Sequence, residues 1–271
     1  MQSQLFLNNI TVIDHAYIGA DGRQHGGSFN ASFRVTGPVI GDEQVLVDFS
    51  AIKKIIKASI DDAVSGFDHK LWHFPGWSNA EVAVSTEGVH IQTSAMEIRA
   101  PADILRVIMN ASYDIPVLEE RMSEHLEAML SVKFPTIDLK VRTILSEKGF
   151  LNTGKAQMFR YSHGLRNSSS YGCQNIAHGH LSWIEFDHDE HYRDDCEDCQ
   201  QALESLATII RNDWDGAVLI DEANVLEATD DFVTIAYQSG RGRFWAKYRR
   251  PYVKMLILPH ETTVEHIVAA F

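Results

Sequence analysis

Cysteine is scarce in this chain: three of 271 residues, all between Cys173 and Cys199. So few thiols in so short a span exclude a disulfide framework and fit a reducing compartment. No apolar run approaches the ~20 residues of a membrane span, and the N-terminus lacks a basic region leading into an apolar stretch. The sequence therefore reads as soluble and cytoplasmic. Cations are in the minority too, 24 Lys and Arg against 37 Asp and Glu, and the net charge of −13 argues against nucleic-acid binding, which needs a basic face. Apolar surface, in contrast, is plentiful. At 45% hydrophobic the chain can bury a large core, and its length suits two domains of about 135 residues each.

Histidine is abundant, with 13 residues, and the informative ones lie near the middle, in Tyr161-Ser162-His163 and in Cys173 to His180. The stretch His178 to Phe186 reads as a strand, since Trp183, Ile184 and Phe186 favour that state. Residues two apart on a strand point to one side, so His178 and His180 present both imidazoles to one point. His163 and Cys173 can join them from the preceding segment. Close His pairs arise by chance in a chain this rich in histidine, and His-Gly-His alone is a weak motif. Few structural roles need all four residues. Three neutral imidazoles with one open position describe a catalytic zinc site better than a closed structural one. Cys173 is then either a fourth ligand or a reactive thiol whose pKa the metal lowers.

An internal repeat accompanies this motif. Val12 to His15, Gln24 to Ser28 and the alternating strand Phe29 to Val35 parallel Phe159 to His163, Ala177 to Leu181 and the strand that follows. The first copy has Gly27 where the second has His180, and no Cys, so its metal site reads as decayed. Arg99 to Leu105 and Thr262 to Ile267 read as matching helix openings. The repeat predicts tandem domains, 1–135 and 136–271, joined near Lys133 to Asp138. Helices are predicted over Phe49 to Val64, Pro116 to Val132 and Glu197 to Arg211 from apolar residues at helical spacing. Short strands are predicted over Val45 to Phe49, Val82 to Ser85, Val89 to Thr93, Ala217 to Asp221, Phe232 to Tyr237 and Val253 to Leu258. Each half reads as α+β, an antiparallel sheet with helices on one face.

These motifs resemble those of the 6-pyruvoyltetrahydropterin and 6-carboxytetrahydropterin synthases, zinc lyases of the tunnelling fold (T-fold) that act on dihydroneopterin triphosphate. The residues that carry the resemblance are His163, Cys173, His178 and His180, the strand end Val47-Asp48-Phe49, the dyad Asp68-His69, and Thr263-Val264-Glu265. The chain departs from the family in spreading them over two halves, with the dyad in the first and the rest in the second. Leu181-Ser182 also replaces the family's Asn-Tyr after His-Gly-His. The resemblance implies two T-fold domains closing into a barrel by homo-oligomerisation. In that family the dyad comes from the neighbouring subunit, and from the spread over two halves we read one composite site, each half having lost what the other supplies.

What the resemblance implies for the chemistry is zinc on His163, His178 and His180, Cys173 as general base, and Asp68 orienting His69 as a second proton-transfer group. Glu265, beside Thr263, would hold the pterin ring. The run Arg241 to Arg250 has five cations and no acid; Arg241 and Arg243 would open a triphosphate clamp there, or the run is a solvated basic loop. The activity implied is that of a 6-carboxytetrahydropterin synthase of the queuosine (deazapurine) pathway. The alternatives are a 6-pyruvoyl synthase, a retro-aldol enzyme cleaving dihydroneopterin side chains, and a non-catalytic pterin- or purine-binding tandem. His188, His191, Cys196 and Cys199 could hold a second zinc, although the seven acids between Asp187 and Cys199 also suit a solvated helix entry.

Overall fold

The computed structural model describes residues 2–39, 46–149, 156–185 and 197–270. The second-zinc candidates His188, His191 and Cys196, and the side chain of Cys199, lie outside them. Strands β1 (Gln2–Ile18) and β2 (Gln24–Pro38) pair as a long antiparallel hairpin. Every second residue of β2 from Phe29 to Val35 is apolar and buried, the period of two that turns one face to a core. That face is covered by α1 (Phe49–Ile60) and, later in the chain, α2 (Ile115–Lys133). Asp48 caps α1 by accepting from the Ala51 N–H, and Asp114 caps α2 at Val117, with Pro116 tolerated in the first turn. Ile52, Ile56 and Ile60 of α1, and Leu118, Met122, Leu126 and Leu130 of α2, recur at intervals of four and are fully buried. Each such side chain stabilises the fold by about 1.5–3 kcal/mol.

Between the helices run β3 (Lys70–His73), β4 (Glu81–Ser85), β5 (Gly88–Gln92), β6 (Met96–Ala100) and β7 (Leu105–Val107), and after α2 comes β8 (Lys140–Glu147). The second half repeats this plan with β9 (Ala156–His163), β10 (His178–Glu185), α3 (Glu197–Ile209), β11 (Ala217–Asp221), β12 (Val225–Ala228), β13 (Phe232–Ser239), β14 (Gly242–Arg249), β15 (Met255–Leu258) and α4 (Val264–Ala269). One sheet has the order β7-β3-β1-β2-β8 and the other β15-β11-β9-β10, the same arrangement with β8 added at one edge. The meanders β4-β5-β6 and β12-β13-β14 join through β6 and β14 into one six-stranded antiparallel sheet. Its apolar face, including Ile91, Ile98, Phe244 and Tyr248, packs against Ile18, Leu71, Val218 and Ile220 of the other two sheets. The architecture is α+β in both halves.

Several details differ from the sequence expectation. The two hairpin sheets are mixed, because β3 and β7 run parallel to β1, as β11 and β15 do to β9. Of the strand expected over Val45 to Phe49, Val45 lies outside the described residues, and Leu46 to Asp48 form a bend and a cap. Arg99 to Leu105 opens no helix: β6 ends at Ala100 and a single 3-10 turn, Ala102–Ile104, leads into β7. The first-half counterpart of α4 is therefore α2. The N-terminal sheet also runs past residue 135, because β8 pairs with β2 from Phe29↔Glu147 to Thr36↔Lys140.

Candidate metal and acid–base centre

The β9–β10 hairpin places His163 directly opposite His178, and Tyr161 opposite His180. The three ring centroids lie 4.7, 5.0 and 4.9 Å apart. Each Nδ1 is engaged. That of His163 meets the Thr262 carbonyl and hydroxyl, both at 2.9 Å, and that of His178 the Asn175 carbonyl at 2.7 Å. That of His180 faces the Asp14 carboxylate at 3.3 Å. A carbonyl or carboxylate accepts, so Nδ1 carries the proton and Nε2 keeps its lone pair. Nε2 of His163 and of His178 are buried without any partner, a costly condition unless a ligand takes them. Burial pushes both imidazoles well below their ordinary pKa, so both are neutral. One ligand atom from each of the three residues lies within 4.8 Å of the others. Neutral imidazoles with fixed tautomers and orphaned Nε2 atoms fit a zinc ion.

Asp14 is itself well held. Burial opposes its ionisation, but His180 and Ser28 outweigh burial and keep its carboxyl below the usual range. Its backbone N–H donates to Asp68 Oδ1 at 2.9 Å, which leads directly to the first-half dyad.

Asp68 Oδ2 accepts from His69 Nδ1 at 2.6 Å, and His69 Nε2 faces Cys173 Sγ at 3.4 Å. The His69 ring lies 5.1 Å from that of His178 and 6.1 Å from that of His180, centroid to centroid. The dyad of one half and the thiol and imidazoles of the other thus meet within a single chain. Burial alone would lower the His69 pKa, but the bonds to Asp68 and Cys173 outweigh it and hold it at about 10. Burial likewise pushes the Cys173 thiol up, and His69 more than reverses this, so the thiol lies below its ordinary value. His69 sits at φ +52°, a left-handed conformation rare outside glycine and characteristic of functional sites. Gly172 is needed at its position, since a Cβ there would lie 2.6 Å from His69 Cγ.

The remaining predicted site residues lie elsewhere or act differently. Arg241 is no free clamp. Its side chain is 2% exposed; it donates to Asp103 Oδ2 at 3.1 Å and to the carbonyls of Asp103, Tyr171 and Gly172. It therefore braces the loop that carries Cys173. The basic run is the strand β14, not a loop, and alternation sends Arg243, Lys247 and Arg249 away from the buried Phe244, Ala246 and Tyr248. Arg243 is exposed beside Trp245 on the outer face of the six-stranded sheet. Glu265 is exposed in the first turn of α4, and Thr263 is its N-cap residue. The residue that reaches the imidazoles is the buried Thr262, which sequence reasoning passed over although it adjoins the Thr-x-Glu motif. Asp14 and Asn175 were missed as well, since nothing local distinguishes a carboxylate or amide that acts across the fold.

The strand registers define which residues of the two halves correspond. Ala16 faces Leu71 as Ser162 faces Val218, and Leu71 faces Leu105 as Val218 faces Met255. His69 N–H donates to the Asp14 carbonyl as Gly216 N–H does to that of Arg160. Hence Tyr17, not His15, is the counterpart of His163; His25 matches His178, and Gly27 matches His180. The counterpart of Asp68-His69 is Asp215-Gly216, where Asp215 accepts from the Arg160 N–H at 2.7 Å and Gly216 keeps the positive φ. Gly26 and Gly179 also correspond. The hairpins cross there so closely that a Cβ on Gly26 would collide with the Tyr161 carbonyl, and one on Gly179 with Gly26 Cα.

No family model matches the chain. No curated protein matches it either. Among solved structures, a catalytic-residue mutant of 6-pyruvoyltetrahydropterin synthase from Plasmodium vivax is similar at a TM-score of 0.41 and 14% identity, over 55% of this chain and 99% of that one. The Plasmodium falciparum enzyme of the same name is similar at 0.40 and 16%, with the same coverage.

Proposed function

We propose that this chain is a zinc-dependent pterin synthase acting on 7,8-dihydroneopterin triphosphate, of the 6-carboxytetrahydropterin synthase type found in queuosine (deazapurine) biosynthesis, and working as a homo-oligomer. The observation that carries the reading is the 3.4 Å approach of His69 Nε2 to Cys173 Sγ, beside three imidazoles that fit a metal. A non-catalytic tandem, with dyad and cluster apart, is disfavoured by the same distance. When bound, zinc would supply a Lewis acid for the hydroxyls and developing carbonyl of the substrate side chain. The protein residues provide the proton chemistry. Cys173, whose ionisation the contact with His69 favours, takes a proton from the side chain, and His69, oriented by Asp68, holds and returns one. Thr262, Asn175 and Asp14 fix the imidazole orientations. Thr263 and Glu265 remain the proposed pterin contacts; Arg241 holds the thiol loop, and Arg243, on the outer face of the six-stranded sheet, is not assigned to the leaving triphosphate.

Purified protein should contain one zinc per chain and convert dihydroneopterin triphosphate to free triphosphate and a new pterin. Cys173→Ala should reduce turnover by about 10²–10⁴-fold. Turnover that survives this change removes Cys173 as the base. Release of a small carbonyl product identifies the retro-aldol reaction instead, and tight pterin binding without any product identifies a binding tandem.

A further inference from the structure

A groove of about 360 Å³ lies between β7 and α2, on the helix-covered side of the N-terminal sheet, lined by Phe67, Arg106, Asn110, Arg121, His125 and one carboxylate, Glu124, among others. Arg106 lies with its guanidinium 4.3 Å above the Phe67 ring, and its Nε is buried without an acceptor. Burial alone lowers its pKa, and no neighbouring acid restores it. Arg121 gives Nη1 to Glu124 at 2.6 Å and approaches Glu120 at 3.7 Å, yet its Nε is buried and unpartnered too. Asp62, whose charge also reaches His125, is taken up by the N–H groups of Val64 and Ser65 and the Ser65 hydroxyl. In a chain of net charge −13, two arginines with free buried donors lining one groove are a specific arrangement.

The second half shows that the fold does not require Arg106. By register, the position of Arg106 is taken there by Leu256, packed against a hydrophobic cluster. The third nitrogen in the groove has the opposite polarity. His125 bonds the Ser59 carbonyl through one ring nitrogen, which must carry the proton, and its buried Nε2 has no partner. Burial and Arg106 keep the ring neutral, so Nε2 offers a lone pair.

We propose that this groove binds the phosphate group of a small molecule, with Arg106 and Arg121 donating to its oxygens and His125 Nε2 accepting from its P–OH. Donors on two sides and one acceptor match hydrogenphosphate, which has a proton to give, better than sulfate, which has none. The site is independent of the metal centre, and its test needs no turnover.

Titration of the full chain with inorganic phosphate, followed by calorimetry at constant ionic strength, should show one saturable event, at least about tenfold tighter than sulfate. Arg106→Leu, which copies the second half, should fold with unchanged or higher thermal stability and lose at least about tenfold in phosphate affinity. His125→Leu should retain anion binding while losing the preference for phosphate. Equal affinity for sulfate in the wild type overturns the assignment, and so does wild-type affinity in Arg106→Leu. If Arg106→Leu does not fold, an unchanged phosphate preference in His125→Leu overturns it.

Discussion

Where β9 carries His163, β1 carries Tyr17, and where β10 carries His180, β2 carries Gly27. The first half fills the corresponding space with stacked rings. His15 lies 3.8 Å from Trp72 and 5.0 Å from Phe29, Tyr17 lies 3.7 Å from Tyr113, and the Tyr113 hydroxyl meets His15 Nε2 at 3.0 Å. Burial holds the His15 pKa at about 4, so that imidazole is a neutral member of an aromatic core. The second half shows the reverse loss. Asp215-Gly216 keeps the carboxylate and the backbone turn of the dyad without the imidazole. One half thus retains the cluster and the other the proton relay, and the crossing at Gly26 and Gly179 brings them together. A duplicated unit needs only one complete site per pair, so each copy can shed a different part once the two stay in contact.

The largest change expected from breaking this comparison is at Arg241, which ties Asp103 of the first half to the Cys173 loop of the second. Arg241→Met should cost about 2–4 kcal/mol in chemical denaturation, because it leaves the partly buried Asp103 carboxylate with only Tyr171 to bond it. A loss below about 1 kcal/mol would show that the strut is incidental. Gly26→Ala should cost about 1–3 kcal/mol by forcing the hairpins apart. Gly76→Ala offers a contrast: its Cβ would meet nothing, and only its positive φ resists the change.

A smaller effect is expected at the relay. His69 stays protonated up to about pH 10 and lowers the Cys173 pKa, so alkylation of the thiol at pH 7 should outpace that of a free cysteine. Asp68→Asn should slow it by about tenfold, by withdrawing the partner that holds His69 charged. The direction of the pH dependence follows from the raised His69 pKa. Its ionic contribution to stability is fully present below the unfolded value and is lost as the pH rises through about 10. The smallest expected effect is none: Gly27→His restores the His-Gly-His pattern in the first half, yet zinc per chain should remain one. Tyr17 still occupies the third position, and the new side chain would meet His15 and Tyr113. A second bound zinc would overturn the register-based correspondence.

Much of the local chemistry was legible in the chain. The His-x-His pair could be read because a strand repeats every two residues, and the helices because their apolar residues recur every three or four. Local pattern shows the dyad only as two adjacent residues; its place in a composite site with Cys173 followed from the family resemblance. Its left-handed backbone and its partner 104 residues away arise from packing between the halves. Arg241 was misread because a charged run looks the same whether it lies in solvent or alternates along a strand, and the run itself does not reveal which of its cations a distant Asp103 captures. The parallel pairing of β1, β3 and β7 was missed for a similar reason, since strand direction depends on which non-local partner is found.

The amino-acid sequence by itself determined the periodic elements, the imidazole pair and the duplication, because these rest on patterns among residues near one another in the chain. Tertiary structure alone decided which lone pairs stay unsatisfied, which cation is neutralised, and that Asp68-His69 reaches Cys173 at all. Those outcomes depend on burial and on approaches between segments far apart in the chain, and no local pattern encodes them.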